Sequence, residues 1–334
     1  MREYTHVDAA LLHGEIVPGA VPAVLRGVAA GWPAVRRARA SPEAVCNYLL
    51  ACDNGQPVDA LLLPPAEKGR LFYGPGMDGF NFARRRLPVS QVIEQLARYA
   101  QFADPPSVAV QSAPIAACLP RFGQENRLDD SLFGAHGEVA ARIWIGNAIV
   151  TPAHFDESSN IACVVAGRRR FTLFAPEQVG NLYIGPLDYA PTPTPISLVD
   201  FSAPDLARFP RFARAMEAAL VADLGPGDAI YIPPLWWHHV QSSAPLSILV
   251  NYWWTAAGQP QVPAEVPAEV PDDAPAPTPM QAMVDAMHAL RAMSPEQRRA
   301  WAALFAHYVF DAGVDPAAHI PAHRQGVLSK VRPE

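Results

Sequence analysis

Short runs of apolar residues, separated by turn residues, fill the middle of the chain. These runs are rich in β-branched and aromatic residues and are shorter than typical helices, so they predict strands. They comprise residues 22–26, 58–63, 107–111, 141–145, 161–165 and 170–174. Many short strands with glycine and proline turns between them favour a barrel or jelly roll over alternating strands and helices. The predicted fold class is therefore mainly β, with flanking helices.

Three other segments carry helix signals. The sequence Ser41-Pro-Glu43 offers a hydroxyl N-cap, a proline at the first helical position and an early acidic residue, which predicts a helix ending near Cys52. Residues 89–100 place apolar side chains along one helical stripe, and residues 212–222 predict a further short helix. The turn at residues 225–228 has proline and then glycine at its centre, which is typical of a type II turn.

A proline-rich segment, residues 259–278, has the composition of an extended linker. It divides the chain into a β domain with a mixed N-terminal flank over residues 1–258 and a helical segment over residues 279–334. Thr278 and Ser294 each begin a predicted helix with a capping box. The apolar stripes of this helical pair comprise Met280, Met283, Val284, Met287 and Leu290, then Trp301, Leu304, Phe305 and Tyr308.

Such stripes require a partner surface. Either the chain's own barrel covers them or a second copy of the chain does. We expect a homodimer in which residues 279–312 form most of the interface.

The composition excludes several classes of protein. A hydrophobic content of 50% indicates a globular chain, and a net charge of −6 gives no general attraction for nucleic acid. No apolar run reaches membrane length and the N-terminus lacks an apolar signal core, so we expect a cytoplasmic protein without membrane contact. The cysteines show no CxxC spacing and are expected to be reduced thiols: Cys46, Cys52, Cys118 and Cys163.

The candidate chemistry begins with a histidine and a carboxylate two residues apart, His154 and Asp156. If this segment is a strand, the two side chains point to the same face. A second imidazole from His238 or His239 would complete a 2-His-1-carboxylate set, the ligand pattern of non-haem Fe(II) oxygenases. Alternation along a strand allows only one of these two adjacent histidines to face inward, and the pattern alone does not choose between them.

Several motifs around these residues occur in a distinctive order. They are Thr151-Pro-Ala-His-Phe-Asp156, Gly167-Arg-Arg-Arg170, Gly225-Pro-Gly-Asp228, Trp236-Trp-His-His239 and Asn251-Tyr-Trp-Trp254. Over residues 142–254 the chain resembles the JmjC/cupin-like 2-oxoglutarate oxygenases, and in particular their asparaginyl hydroxylases. The resemblance implies a double-stranded β-helix, or jelly roll, over residues 1–258. It also implies Fe(II) bound by His154, Asp156 and His238, and 2-oxoglutarate as co-substrate.

The resemblance also implies roles for residues around the metal. Arg169 takes the position of the family's lysine that holds the distal carboxylate of 2-oxoglutarate, and Thr151 would bond the same carboxylate. The other candidates implied in this way are Asn160 and Asn251 near the co-substrate, and Gln111 and Trp237 near the substrate. One departure is that Ala109 stands where the family has a tyrosine, so the distal carboxylate needs another donor.

Two other functions fit the same metal ligands. One is a cupin-type metal enzyme that does not use 2-oxoglutarate and does not need Arg169. The other is a non-catalytic module that binds a metal or a ligand. For the oxygenase, a protein side chain is the favoured substrate and a small molecule is the alternative. The substrate contacts of the asparaginyl hydroxylases are not retained at residues 190–200, so their particular substrate is not carried over.

Overall fold

The computed structural model describes residues 1–136, 139–187, 189–254, 279–311 and 315–331. The linker predicted for residues 259–278 and the cap predicted at Thr278 lie outside the described residues. Within the described part of the chain, none of the helices combines the length and the apolar character needed to cross a membrane.

Two β-sheets form the body of the protein. Their strands are β1 (Arg2–Thr5), β2 (Ala23–Arg26), β3 (Val58–Leu63), β4 (Ala83–Leu87), β5 (Ser107–Pro114), β6 (Ala141–Gly146), β7 (Val150–His154), β8 (Ser159–Ala166), β9 (Arg169–Phe174), β10 (Leu220–Leu224), β11 (Ala229–Ile232), β12 (Trp237–Ser242) and β13 (Ser247–Trp254). The large sheet has the order β1-β2-β11-β8-β13-β6-β5-β3-β4, and the small sheet has the order β10-β9-β12-β7. Pairing is antiparallel except between β1 and β2.

Apolar side chains from both sheets meet in one cluster, which we call the barrel interior. The large sheet contributes residues such as Val164 and Leu249, and the small sheet contributes Phe171, Leu173 and Val240. The opposite face of the large sheet packs against the N-terminal helices in a second, larger cluster. Every residue of β8 is buried, because this strand has protein on both of its faces. This two-sheet sandwich is the predicted jelly roll, and the prediction of a mainly β fold is confirmed.

The helices lie around the sandwich. They are α1 (Ala9–Leu11), α2 (Pro33–Ala40), α3 (Pro42–Cys52), α4 (Val89–Tyr99), α5 (Ile115–Cys118), α6 (Pro120–Glu125), α7 (Phe212–Glu217), α8 (Pro279–Arg291) and α9 (Pro295–Phe305). Two π-helical turns, Leu12–Ile16 and Ala306–Phe310, extend α1 and α9. Ser41 caps α3 by accepting a hydrogen bond from the backbone N–H of Ala44, as predicted. At the start of α9, Ser294 and Gln297 form the predicted capping box.

Several elements differ from the sequence prediction. The helix predicted for residues 212–222 ends at Glu217, and β10 begins three residues later. The reason is tertiary: β10 completes the edge of the small sheet by pairing with β9. β4 was also not predicted. Its run of arginines lies on an exposed edge strand and does not alternate between apolar and polar residues.

The C-terminal helix α9 does not stand apart from the barrel. Ala300 is buried in a cluster behind the small sheet, where Trp301, Leu304 and Tyr308 also pack. The segment after α9 returns to the same cluster through Ile320 and Leu328. The chain's own body therefore covers the stripe of α9. The side chains of Met280, Met283 and Val284 lie outside the described residues, and Met287 is exposed.

Candidate metal centre

The pairing of β7 with β12 brings the two histidines together. His154 pairs with His238, and Thr151 pairs with Val240. Between these two pairs β7 advances by three residues and β12 by two. The extra residue is a β-bulge, which reorients side chains on the bulged strand. Directly paired residues share a face of the sheet, so His154 and Thr151 both join the face that carries His238 and Val240.

Each imidazole is oriented by a carbonyl of its own strand. The Nδ1 atoms of His154 and His238 lie 2.9 Å from the carbonyl oxygens of Pro152 and Trp236, respectively. A carbonyl can only accept, so Nδ1 carries the proton and Nε2 keeps its lone pair. The ring centroids are 4.2 Å apart. Both rings therefore present a metal-binding nitrogen in the same small region.

Asp156 lies two residues beyond the end of β7, not on the strand as the spacing argument assumed. Its position is fixed by other contacts. Its carbonyl accepts a hydrogen bond of 2.8 Å from the N–H of Leu235. Its Oδ2 accepts hydrogen bonds from Trp253 Nε1 at 2.9 Å and from Asn160 Nδ2 at 3.3 Å. These bonds aim the carboxylate at the two imidazoles without help from a strand.

The three side chains form a donor set for one metal ion. Their ligand atoms lie within 4.8 Å of one another, and His238 Nε2 is 3.7 Å from Asp156 Oδ2. Burial lowers the pKa of His154 to about 4, and the neighbouring His238 adds to this shift. The imidazole is therefore neutral at pH 7, which is the form that binds a metal. Two imidazoles and one carboxylate suit iron and leave further coordination positions open.

His239 does not belong to this centre. Its ring stacks on Phe201 with centroids 4.3 Å apart and an angle of 7° between the planes. Trp237 also points away from the metal side of β12: it is fully buried and meets Phe155 edge-on at 4.9 Å. The alternation along β12 thus places His238 with the other two ligands, whereas its two neighbours face the other way.

Arg169 faces the barrel interior. It precedes Phe171 and Leu173 on the same face of β9, whereas Arg168 and Arg170 are exposed. Arg170 is paired with Asp223 at 2.8 Å, but Arg169 has no hydrogen-bond or ion-pair partner among the described residues, and its Nε is covered by protein. Burial lowers its pKa to about 10, so the guanidinium is still charged at pH 7. An uncompensated buried charge is costly, and an anionic ligand would remove that cost.

The remaining predicted residues lie around this interior. Asn251 Nδ2 donates to Asn160 Oδ1 at 2.9 Å, which links β13 through Asn160 to Asp156. Thr151 is half-buried on the interior face of β7, as described above. Gln111 is half-buried at a second β-bulge, in β5, which lies beside β6.

Three residues near the centre were missed by the sequence analysis. Trp253 donates a hydrogen bond to the carboxylate of Asp156, as described above. Trp144 packs against the barrel interior, and Arg142 pairs across the sheet with Asn251 and donates to the carbonyl of Ser112 at 3.0 Å. A signal was present for Trp253, because it lies two residues from the predicted site residue Asn251 on β13. No site residue was predicted on β6, so Trp144 and Arg142 had no such signal.

Comparison with known proteins shows several relatives. Jumonji C domain-containing protein 5 of Drosophila melanogaster is 32% identical over 174 residues, which are 52% of this chain and 39% of that protein. Human HSPB1-associated protein 1 is 33% identical over 132 residues, 39% of this chain and 26% of that protein. The human bifunctional peptidase and (3S)-lysyl hydroxylase JMJD7 is 28% identical over 260 residues, 70% of this chain and 77% of that protein.

The first two of these relatives are much longer than the matched region, so the chain spans less than half of their length. The profile of the family described as a cupin-like domain matches residues 9–259. That range contains every strand of the two sheets except β1, and all three candidate metal ligands. The chain therefore belongs to the cupin-like domain family, and its relatives include JmjC-domain proteins.

Proposed function

We propose that the protein is an Fe(II)- and 2-oxoglutarate-dependent oxygenase that hydroxylates a C–H bond. The observation that supports this best is the His154–Asp156–His238 centre, which shares the barrel interior with the buried, unpaired Arg169. A metal enzyme without 2-oxoglutarate would not need a buried cation at that position. The same arginine argues against a module that binds only a metal.

The chain's own residues have distinct roles in this proposal. His154, Asp156 and His238 would hold the ferrous ion, and their carbonyl and indole partners keep the donor atoms aimed at it. Arg169 would hold the distal carboxylate of 2-oxoglutarate, with Thr151 beside it. Asn160 and Asn251 would lie beside the co-substrate on the side of the large sheet, and Gln111 would face the substrate.

The overall reaction balances as one substrate C–H bond, one O2 and one 2-oxoglutarate going to one C–OH group, one succinate and one CO2. One oxygen atom enters the new hydroxyl group and the other enters succinate. When bound, the iron and 2-oxoglutarate supply the activation of O2 that no side chain of the chain can supply.

We favour a protein side chain as the substrate, with a small molecule as the alternative. One relative is named as a (3S)-lysyl hydroxylase, which supports a protein substrate. We further propose that the protein is a homodimer, with residues 279–312 in the interface. Exposed apolar side chains at Met287, Val309 and Phe310 support this assignment.

The direct test is ligand binding by the full-length protein. Under anaerobic conditions, we expect one Fe(II) per chain and binding of 2-oxoglutarate only after the metal is bound. Asp156→Ala should abolish metal binding while the protein stays folded. Arg169→Met keeps the apolar stem, so metal binding should persist and 2-oxoglutarate should bind about tenfold to a hundredfold more weakly. Admission of O2 to the loaded protein should then yield succinate.

The alternatives predict different results. If the protein binds iron but 2-oxoglutarate does not bind at all, it is a cupin-type metal enzyme of another class. If both ligands bind and succinate never forms, with or without candidate peptides, the binding module is favoured.

A further inference from the structure

A second hydrogen-bond donor without a partner lies on the wall opposite Arg169. Trp144 is on β6, paired with Leu249, and its ring packs against the barrel interior. Its Nε1 is covered by protein and has no hydrogen-bond partner among the residues that the structure describes. An unmade hydrogen bond at a buried N–H is destabilising, so a ligand oxygen at this position would be stabilising.

The neighbouring indole shows what is unusual about Trp144. Trp253 meets Trp144 edge-on, with ring centroids 6.4 Å apart. The N–H of Trp253 is already used, because it donates to Asp156 at 2.9 Å. Trp144 therefore lies one ring away from the metal centre, and within the described ranges its own N–H has no acceptor.

The barrel interior offers few other donors for an anion. Ala109, which stands where related oxygenases carry a tyrosine, is enclosed by Leu61, Leu63, Leu71 and Ile149. In the described part of the chain, no tyrosine belongs to the interior cluster. A carboxylate has two oxygens with about four acceptor sites. The guanidinium of Arg169 need not occupy all of them, so other donors can bond the same carboxylate.

We propose that the Trp144 N–H is a further donor to the distal carboxylate of 2-oxoglutarate, beside Arg169 and Thr151, in place of the absent tyrosine. This inference rests on the proposed function. Trp144 and Arg169 lie on opposite sheets, so the carboxylate would bridge the two walls of the barrel interior. Binding of the co-substrate would then join the sheets as well as fill the metal's coordination sphere.

The experiment measures 2-oxoglutarate binding to the full-length protein loaded with Mn(II), by titration calorimetry without turnover. Trp144→Phe keeps most of the ring and removes the N–H. We expect about tenfold weaker binding of 2-oxoglutarate, with Mn(II) affinity and melting temperature nearly unchanged. Trp32→Phe is the matched control: its indole N–H donates to the carbonyl of Arg127, outside the barrel interior, and its loss should leave the affinity unchanged.

Two further measurements assign the contact to the distal carboxylate. 2-Oxopentanoate has a methyl group in place of that carboxylate, so the effect of Trp144→Phe should disappear with this ligand. In the double variant with Arg169→Met, the two losses should be smaller than additive, because both residues bind one group.

An unchanged affinity for 2-oxoglutarate in Trp144→Phe would overturn the inference and leave the proposed function standing. An equal loss for both ligands would also overturn it, because the indole would then act through packing. If the unmodified protein binds Mn(II) but not 2-oxoglutarate, the proposed function itself fails, and this result is distinct from the other two.

Discussion

Two adjacent histidines of β12 have opposite surroundings, and this difference predicts their roles. His238 faces His154 and Asp156, whereas His239 lies flat on Phe201. We therefore expect His238→Ala to abolish stoichiometric Fe(II) binding. His239→Ala should keep the metal and lose stability through packing, by about 1–3 kcal/mol. Calorimetric metal titration and urea unfolding of the two variants separate these outcomes. Metal binding retained in His238→Ala and lost in His239→Ala would place the register wrong by one residue.

The sequence predicts much of this centre, but the alternation of side chains along a strand explains only part of its arrangement. Alternation explains why only one of the adjacent histidines faces inward. It does not explain His154 and Thr151, which are three residues apart and share a face because of the bulge in β7. A bulge depends on the pairing of two distant strands, so no local pattern reveals it. The position of Asp156 likewise depends on Trp253, which lies almost a hundred residues away.

At the scale of elements, the connection between β8 and β9 carries the chain from the large sheet to the small one in two residues, Gly167 and Arg168. Gly167 has a φ of +73°, and a Cβ there would lie 2.6 Å from the carbonyl oxygen of Leu246. Gly167→Ala should therefore destabilise the protein by at least about 1–3 kcal/mol, measured by urea unfolding. Because Arg169 follows immediately, the same variant should bind 2-oxoglutarate more weakly.

Gly55 provides the matched control for this substitution. It has a φ of +78° and no atom within 4 Å of an added Cβ. Gly55→Ala should therefore show only the backbone strain, about 1 kcal/mol, and normal ligand binding. Equal destabilisation by the two substitutions would show that the close approach to Leu246 is unimportant.

The contact between the C-terminal segment and the barrel should depend on pH. Burial lowers the pKa of both His307 and His319, and the nearby Arg211 lowers both further. His319 Nε2 also bonds the carbonyl of Ile184, which partly opposes the shift. A released segment would bind more protons than the docked one below pH 6.5, the ordinary histidine value, so docking weakens as the pH falls through that region.

Hydrogen exchange of residues 295–331 at pH 7.5 and pH 5.5 measures this effect. Because the intrinsic rate of amide exchange itself falls with pH, the rates are compared as protection factors at each pH. We expect lower protection of this segment at the lower pH, while the strands around the metal change little. In the double variant His307→Gln and His319→Gln, most of the pH dependence should disappear. A pH response that persists in this variant would assign it to other groups.

An element can be predicted from the sequence when its own residues carry the cap or the apolar stripe that defines it. α3, α4 and α9 carry their own caps or stripes, and their observed bounds agree with the prediction. β4 and β10 are edge strands: β4 is largely exposed, and β10 alternates between buried and exposed residues. Pairing with a neighbouring strand decides the strand character of both. The stripe of α9 was predicted correctly, but a stripe does not identify the surface that covers it.

At the scale of the whole molecule, the docked C-terminal segment changes how a dimer can be tested. An apolar cavity of about 300 Å³ lies between this segment and the barrel, and its lining includes Phe155 and Trp237. These residues are the immediate neighbours of the metal ligands Asp156 and His238. A truncation at Ala257 would expose the cluster behind the small sheet and disturb the metal centre. Loss of a dimer in the truncated chain would therefore not identify the interface.

Surface substitutions avoid this difficulty. Val309 and Phe310 are 60% and 75% exposed, which is more than packing on their own barrel would leave. In a dimer with a twofold axis, Val309 and Phe310 of both copies would be covered in one self-complementary interface. We expect the intact chain to be a dimer by light scattering and the Val309→Asp, Phe310→Asp variant to be a monomer with unchanged melting temperature and metal binding. Leu206→Asp, at a 48% exposed site elsewhere, should remain dimeric. A monomeric intact chain would rule out the homodimer, and a dimeric double variant would place the interface outside this patch.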